Sequence, residues 1–171
     1  TLTSLVGLSA IYSTLDNPRD PRNGLLADAR VDFAGLGGDS KYVRTSGDIR
    51  YYHELFEEVV GSLRVQGGVI HPTGDGALRI IDHNFMGPNL VRGFAPSGIG
   101  PRDITYTSNL AQGALGATTY FGGSAEVQFP LWGIPREFGL RGAVFADAGT
   151  AFGFKGGRDL GGNVRWFDLN N

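Results

Sequence analysis

Uncharged and charged residues alternate along this chain with a period of two, which is the signature of strands having one apolar face and is incompatible with the 3.6-residue period of a helix. From Leu2 to Thr14, the residues Leu2, Val6, Leu8, Ala10 and Tyr12 share one face, and Thr3, Gly7, Ser9 and Ser13 fall mostly on the other. After a turn signal running from Asp16-Asn17-Pro18 to Gly24, the next segment sets Leu25, Ala27, Ala29, Val31 and Phe33 against Asp28, Arg30 and Asp32. Beyond Gly35-Leu36-Gly37-Gly38, Val43, Thr45, Ile49 and Tyr51 oppose Arg44, Ser46, Asp48 and Arg50. A fourth segment alternates Val59, Gly61, Leu63, Val65, Gly67 and Val69 with Ser62, Arg64 and Gln66. A fifth sets Ala117, Thr119, Phe121, Ala125, Val127 and Phe129 against Tyr120, Ser124, Glu126 and Gln128. The sixth, from about Gly139 to Phe154, places Leu140, Val144, Ala146 and Ala148 opposite Arg141, Phe145 and Asp147.

Six such strands fit two media. In a soluble sandwich or ligand-binding barrel the apolar faces form a core and the charges meet water. In an outer-membrane barrel the apolar faces meet lipid and the charges line a watery lumen. The pattern alone is equally compatible with both. Two details favour lipid: the segments are as long as a tilted membrane crossing requires, and their apolar faces mix small residues with aromatics instead of presenting dense aliphatic side chains.

Composition narrows the rest. The 28 glycines and eight prolines in 171 residues penalise long helices, and 11% aromatic residues suit strands. Apolar runs are only a few residues long, far short of the roughly 20 a spanning helix needs, so a helical membrane protein is excluded. A net charge of -2 with interspersed signs gives no electrostatic footprint for nucleic acid. The absence of cysteine removes disulfides, zinc-thiolate sites and cysteine nucleophiles. The start at Thr1, without a basic or apolar leader, reads as a mature or excised chain.

Between the fourth and fifth strands lies a stretch of over 40 residues without periodicity, from about 72 to 115. Connections of that length are usually functional or disordered. Its run from Asn84 to Asp103 mixes apolar, Gly and Pro residues and reads as a folded, hairpin-like insertion, while Thr105 to Leu115 reads as more mobile.

Within that insertion, Val91-Arg92-Gly93-Phe94 followed by Ile99-Gly100-Pro101-Arg102-Asp103 resembles the loop-six signature of the outer-membrane β-barrel assembly (BamA-like) family and its wider superfamily. Gly122 and Glu126, with Pro130-Leu131 beyond, are similar to the strand after that loop, and Phe145-Ala146-Asp147-Ala148-Gly149 to the F-x-D-x-G motif of the next. The connection from Tyr12 to Gly24 looks like the family's Asp-Asn-Pro…Gly turn. The resemblance implies an all-β, antiparallel, up-and-down transmembrane barrel fragment, with these six strands matching strands eight to thirteen of a sixteen-strand barrel. It implies residues 1–171 as a partial barrel domain, without periplasmic POTRA repeats or closing C-terminal strands, whose open edges would allow self-association.

The resemblance implies a function in assembling β-barrel proteins into the bacterial outer membrane. Its partners would be outer-membrane lipids, unfolded β-barrel clients and accessory assembly lipoproteins, with no cofactor, no metal and no catalysis. A two-partner secretion or TamA-like translocation barrel shares the loop motif. A passive porin and a soluble ligand-binding β-barrel are further alternatives.

Alternation places Glu126 and Asp147 on the polar faces of consecutive strands, and Arg92 is their natural partner, its planar guanidinium matching carboxylates. Breaking such an enclosed pair costs about 3–5 kcal/mol. Gly93 would allow close backbone approach at the loop tip, and Phe94 would pack on the barrel wall near Phe145. Without the resemblance, Arg92 reads as a solvated loop arginine and the acids as ordinary polar-face residues. Paired carboxylates alone also fit a glycosidase, but no second feature of a catalytic site accompanies them. His53, His71 and His83 lack metal-ligand spacing and read as polar rim residues. Gly35-Leu36-Gly37-Gly38 lacks the lysine and helix of a phosphate loop. Trp132, Phe138, Tyr51 and Tyr52 are candidates for an interfacial girdle.

Overall fold

The computed structural model describes residues 4–35, 37, 41–73, 78–103, 113–131, 133, 138–155 and 164–165. Leu2 and Thr3, Leu36 and Gly38, Trp132 and most of the 105–115 segment lie outside the described residues. Six long strands form one antiparallel sheet: β1 (Leu5–Ser13), β2 (Gly24–Ala34), β3 (Tyr42–Phe56), β4 (Val59–Pro72), β6 (Thr119–Pro130) and β7 (Arg141–Phe152). Their order is β1-β2-β3-β4-β6-β7, the up-and-down order of a barrel wall, and among the described residues the sheet is open, with β1 and β7 at its edges. The short β5 (Arg102–Asp103) pairs with β8 (Val164–Arg165) in a separate two-residue ladder.

Every expected strand is present, within a few residues of its expected ends. β3 runs further than its alternation, to Phe56, through an irregularity between Glu54 and Phe56 where the pairing with β4 slips. Directly paired residues share a face, so the register fixes two surfaces. One carries Leu8, Val31, Ile49, Val65, Phe121 and Val144; the other carries Asp32, Arg44, Asp48, Arg64, Glu126 and Asp147. β1 departs from strict alternation, because Leu5 and Ile11 pair with Ala34 and Asp28 and therefore sit on the polar face.

Exposure decides the medium. Leu8, Phe121 and Val144 are 71%, 58% and 67% exposed, and Leu63, Val65 and Ile49 keep them company on the same face. A continuous apolar surface of this kind is rare on a soluble monomer; it matches a wall facing hydrocarbon. The buried side chains sit on the other side of the molecule, where the long β4–β6 connection meets the sheet: Leu90, Val91, Ile99, Ala117 and Ala151 in one cluster, and Ala34, Tyr42, Ile70 and Leu78 in a second.

The polar face holds its charges by local pairing. Asp48 accepts from both Arg50, at 3.0 Å, and Arg64, whose Nε lies 3.1 Å away, so two arginines facing each other across β3 and β4 share one carboxylate. Arg30 and Asp32 pair at 2.9 Å on β2. Such alternation of sign keeps a polar lumen wall from repelling itself.

The two faces should therefore respond oppositely to charge. In the intact barrel, Val65→Arg is expected to destabilise by about 2–4 kcal/mol, whereas Ser62→Arg, which faces Tyr52 and Glu126, should cost under about 1 kcal/mol. Reversible urea unfolding in lipid vesicles reads the difference.

Candidate functional site

The β4–β6 connection leaves the sheet at Pro72 and returns at Thr119, and its middle folds back over the polar face. A bridge between Met86 and Ile99 closes it into a hairpin-like unit, as its composition predicts, and a second bridge between Asn84 and Ala117 ties its base. Within it, the amides of Leu90 and Val91 both donate to the Gly87 carbonyl, at 2.9 and 3.1 Å, turning the tip so that Leu90, Val91 and Arg92 face the strands.

The tip rests on a floor made by two glycines. Gly122 of β6 and Gly149 of β7 are directly paired, and both are close-approach positions. A Cβ at Gly122 would stand 2.7 Å from Leu90 Cδ1, and one at Gly149 2.9 Å from Val91 Cγ2. Only glycine lets the loop sit this low. Leu90 and Val91 are correspondingly buried, with Met86 and Tyr120 packed beside them.

Arg92 is placed by that seating. Its Nε donates to Asp147 Oδ2 and its Nη2 to Asp147 Oδ1, both at 2.7 Å, and its backbone N–H adds a third bond to the same carboxylate at 3.0 Å. Nη1 donates to Glu126 Oε2. Nη2 also reaches Ser124 Oγ at 2.8 Å, and that hydroxyl donates to Asp147 Oδ1 at 2.6 Å. Glu126 in turn accepts from Gln128 at 2.8 Å. The guanidinium carbon lies 3.6 Å from the centre of the Phe145 ring, a close cation–π stack. These bonds, first to Asp147 and then to Glu126, push the arginine's pKa still higher, so its charge is permanent. Ser124, Asp147, Glu126 and Phe145 belong to one patch of the β6–β7 register, with Ser124 opposite Asp147 and Glu126 opposite Phe145.

The structure thus brings Arg92, Glu126, Asp147, Gly122, Phe145 and Gly149 together. The other motif residues lie further up the loop. Gly100 has φ +125° and lies against Ala117 and Ala151. Pro101 is fully buried, its carbonyl accepting from Leu115 at 3.0 Å. Arg102 donates to the Ser97 carbonyl at 3.3 Å, and Asp103 pairs with Val164 in β5 and β8.

Three local expectations are corrected. Gly93 has open space around its Cβ position, and what requires glycine there is its φ of +93°, not a close approach. Phe94 is exposed at the tip, and it is the Arg92 guanidinium that covers Phe145. His83 is buried instead of lying at the polar rim; it stacks on Phe154 at 4.9 Å with Nδ1 2.9 Å from the Arg79 carbonyl. Ser124, Gln128 and Leu90 belong to the site without carrying a motif of their own. Alternation does put Ser124 and Gln128 on the face of Glu126, which was the available signal.

A cavity of about 340 Å³ remains between loop and wall, lined among others by Arg50, Arg64, Asn89, Arg92, Glu126 and Asp147. Arg92 is paired there with Glu126 and Asp147, and Arg50 and Arg64 with Asp48. Among the described residues no group of three or more His, Cys, Asp or Glu side chains is arranged to hold a metal ion.

Asp147 is nearly enclosed while Arg92 is 37% exposed, so truncating Arg92 should cost less than a fully buried pair, about 1–3 kcal/mol. Arg92→Ala is expected to expose the loop to limited proteolysis in the intact barrel. A second route leaves the charges untouched: Gly122→Ala should lift Leu90 and produce the same cleavage, and adding Leu90→Ala should reverse it only in part, since the new Cβ still stands 3.1 Å from the Ala148 carbonyl oxygen.

Residues 1–164 match the Omp85 superfamily domain. The chain is 34% identical over 153 residues to the outer membrane protein assembly factor BamA of Neorickettsia risticii, covering 89% of this chain and 20% of that protein. It is 27% identical over 172 residues to the sorting and assembly machinery component 50 homolog A of Xenopus laevis, covering 96% of this chain and 35% of that protein. The chain therefore spans between a fifth and about a third of these relatives. In fold it is similar to the crystal structure of BamA from Haemophilus ducreyi lacking POTRA domains 1-3, with a TM-score of 0.76 at 22% identity over 87% of this chain and 30% of that one. The family model, matching nearly the whole chain, places it plainly: the chain belongs to the Omp85 superfamily.

Proposed function

We propose that this chain is the back wall and loop-six lock of an outer-membrane insertase, a barrel that assembles other β-barrel proteins into the bacterial outer membrane. The observation that carries the reading is the seating of Arg92 on Asp147 and Glu126, in a chain whose relatives from Neorickettsia risticii and Xenopus laevis are named as an assembly factor and an assembly-machinery component. The apolar face meets outer-membrane lipid. Unfolded β-barrel clients are the substrates, and accessory lipoproteins complete the assembly.

Physically, such a protein needs no bond chemistry. Client strands lower their free energy by pairing their backbone groups before entering hydrocarbon, where each unpaired group costs several kcal/mol. A barrel that offers a pairing edge must deform locally without losing its overall shape. The lock serves that need: it fixes the loop to β6 and β7 through an ion pair, a hydroxyl and a ring, and so holds this sector rigid while deformation occurs elsewhere in the barrel.

The test is replacement of the native protein in cells by the full-length Arg92→Glu variant, which sets like charges against Asp147 and Glu126. The expected result is normal membrane insertion of the variant itself with severalfold less folded outer-membrane barrel protein, read by heat-dependent gel mobility of clients. Normal client assembly combined with lost export of a secreted partner would instead assign the chain to protein translocation. Normal levels of both would contradict the lock's role.

A further inference from the structure

A second ion pair joins parts of the sheet that are not neighbours. Asp20, in the connection between β1 and β2, accepts from Arg141 at the start of β7: Nη1 to Oδ1 at 2.7 Å and Nη2 to Oδ2 at 2.8 Å, a bidentate fork between residues at opposite ends of the strand order. The arginine holds the Asp20 carboxyl below the usual carboxylate range. The pair lies at the turn end of the wall, away from the Arg92 lock.

The connection that carries Asp20 is built as a stiff strap. Asp16 Oδ1 accepts the N–H groups of Asn17 and Arg22, at 2.9 and 3.0 Å, and the Asp16 amide donates to the Asn23 carbonyl at 3.1 Å. Asn17 Oδ1 accepts from the Arg19 amide at 3.0 Å, and Pro18 and Pro21 fix two further backbone angles. The strap is stapled to the end of β3, where Arg22 Nη1 donates to Glu54 Oε1 at 3.2 Å and the Glu54 amide donates to Asn23 Oδ1 at 3.1 Å.

From that staple it must still reach β7, three strand spacings away, or roughly 14 Å along the sheet. Only the short run back from Arg22 to Asp20 and the length of two side chains cover the gap. Whether the fork closes therefore depends on how near the turn ends of β3 and β7 stand, and that separation is set by the curvature of the wall.

We propose that the β1–β2 strap is a curvature latch: the Asp20–Arg141 fork is made in the arrangement seen here and is released when the wall relaxes to a flatter arc. It ties the start of β7 to the first three strands, so that β7 is fastened there as well as at mid-strand, where Asp147 holds the loop. The latch follows from the barrel-wall geometry and does not rest on the insertase reading.

Spin labels at Arg19→Cys and Ala143→Cys in the full-length protein test it; both positions are exposed and neither takes part in the fork, and no other cysteine is present in this chain. Distances are measured by pulsed electron resonance in vesicles of phosphatidylethanolamine and phosphatidylglycerol. A short-distance population is expected, falling about two- to fivefold with Asp20→Arg, as befits an exposed pair, and recovering in Asp20→Arg/Arg141→Asp. Raising salt to about 1 M should reduce it in the parent protein by screening. Heat-dependent gel mobility verifies that each variant is a folded barrel, and Asp20→Asn supplies a milder variant if charge reversal prevents folding. Absence of the short population in the parent, or a population unmoved by the substitutions, would overturn the latch.

Discussion

One guanidinium organises the contact between the long connection and the strand wall. Asp147 lies on the wall, 5% exposed, where an unpaired carboxylate would be costly. Arg92 neutralises it with two side-chain bonds and one backbone bond, shares Glu126, and covers Phe145 with its face. Planarity is what makes this possible: a lysine offers a point charge and could not fork onto Asp147, reach Glu126 and stack at once. The loop is thus held by directional bonds in addition to hydrophobic burial.

That arrangement resolves a problem set by the two faces of the sheet. A strand wall with hydrocarbon on one side and a polar lumen on the other has no core of its own, and its large apolar side chains point outward. Among the described residues, buried side chains cluster where the long connection is folded against the polar side. Leu90, Val91, Ile99, Ala117 and Ala151 form the cluster under the loop tip, and the Gly122–Gly149 pair makes it reachable. Lipid supports the outside of the wall, and the loop supports the inside.

The strands were legible because alternation is local: each apolar and polar position announces its face from two residues away. The long insertion was legible because the pattern stops, and its hairpin character because Gly, Pro and apolar residues cluster between Asn84 and Asp103. The convergence of Arg92 with Glu126 and Asp147 was legible from the motif resemblance and from the shared polar face. What escaped is set by register and packing. Nothing near Gly122 states that it pairs with Gly149 or that Leu90 rests on both. The Phe145 ring reads as a wall residue for Phe94, yet the turn at Gly87 and the positive φ of Gly93 leave Phe94 outside and bring Arg92 over it. His83 looks like any polar loop residue until Phe154 is folded against it. The Asp20–Arg141 fork joins residues 121 positions apart, beyond any local signal.

The central claim is that the loop tip is seated on the wall inside the barrel. The most direct measurement is disulfide formation between Leu90→Cys and Gly122→Cys in the full-length protein in membranes, against a background without cysteine in this chain. Leu90 Cγ stands 3.0 Å from where a Cβ at position 122 would lie, within the range a disulfide needs. Rapid, near-complete cross-linking under mild oxidation, lost when Arg92→Glu is added, is the predicted result. A pair that stays reduced in the folded barrel, or that links equally well without Arg92, would contradict the account.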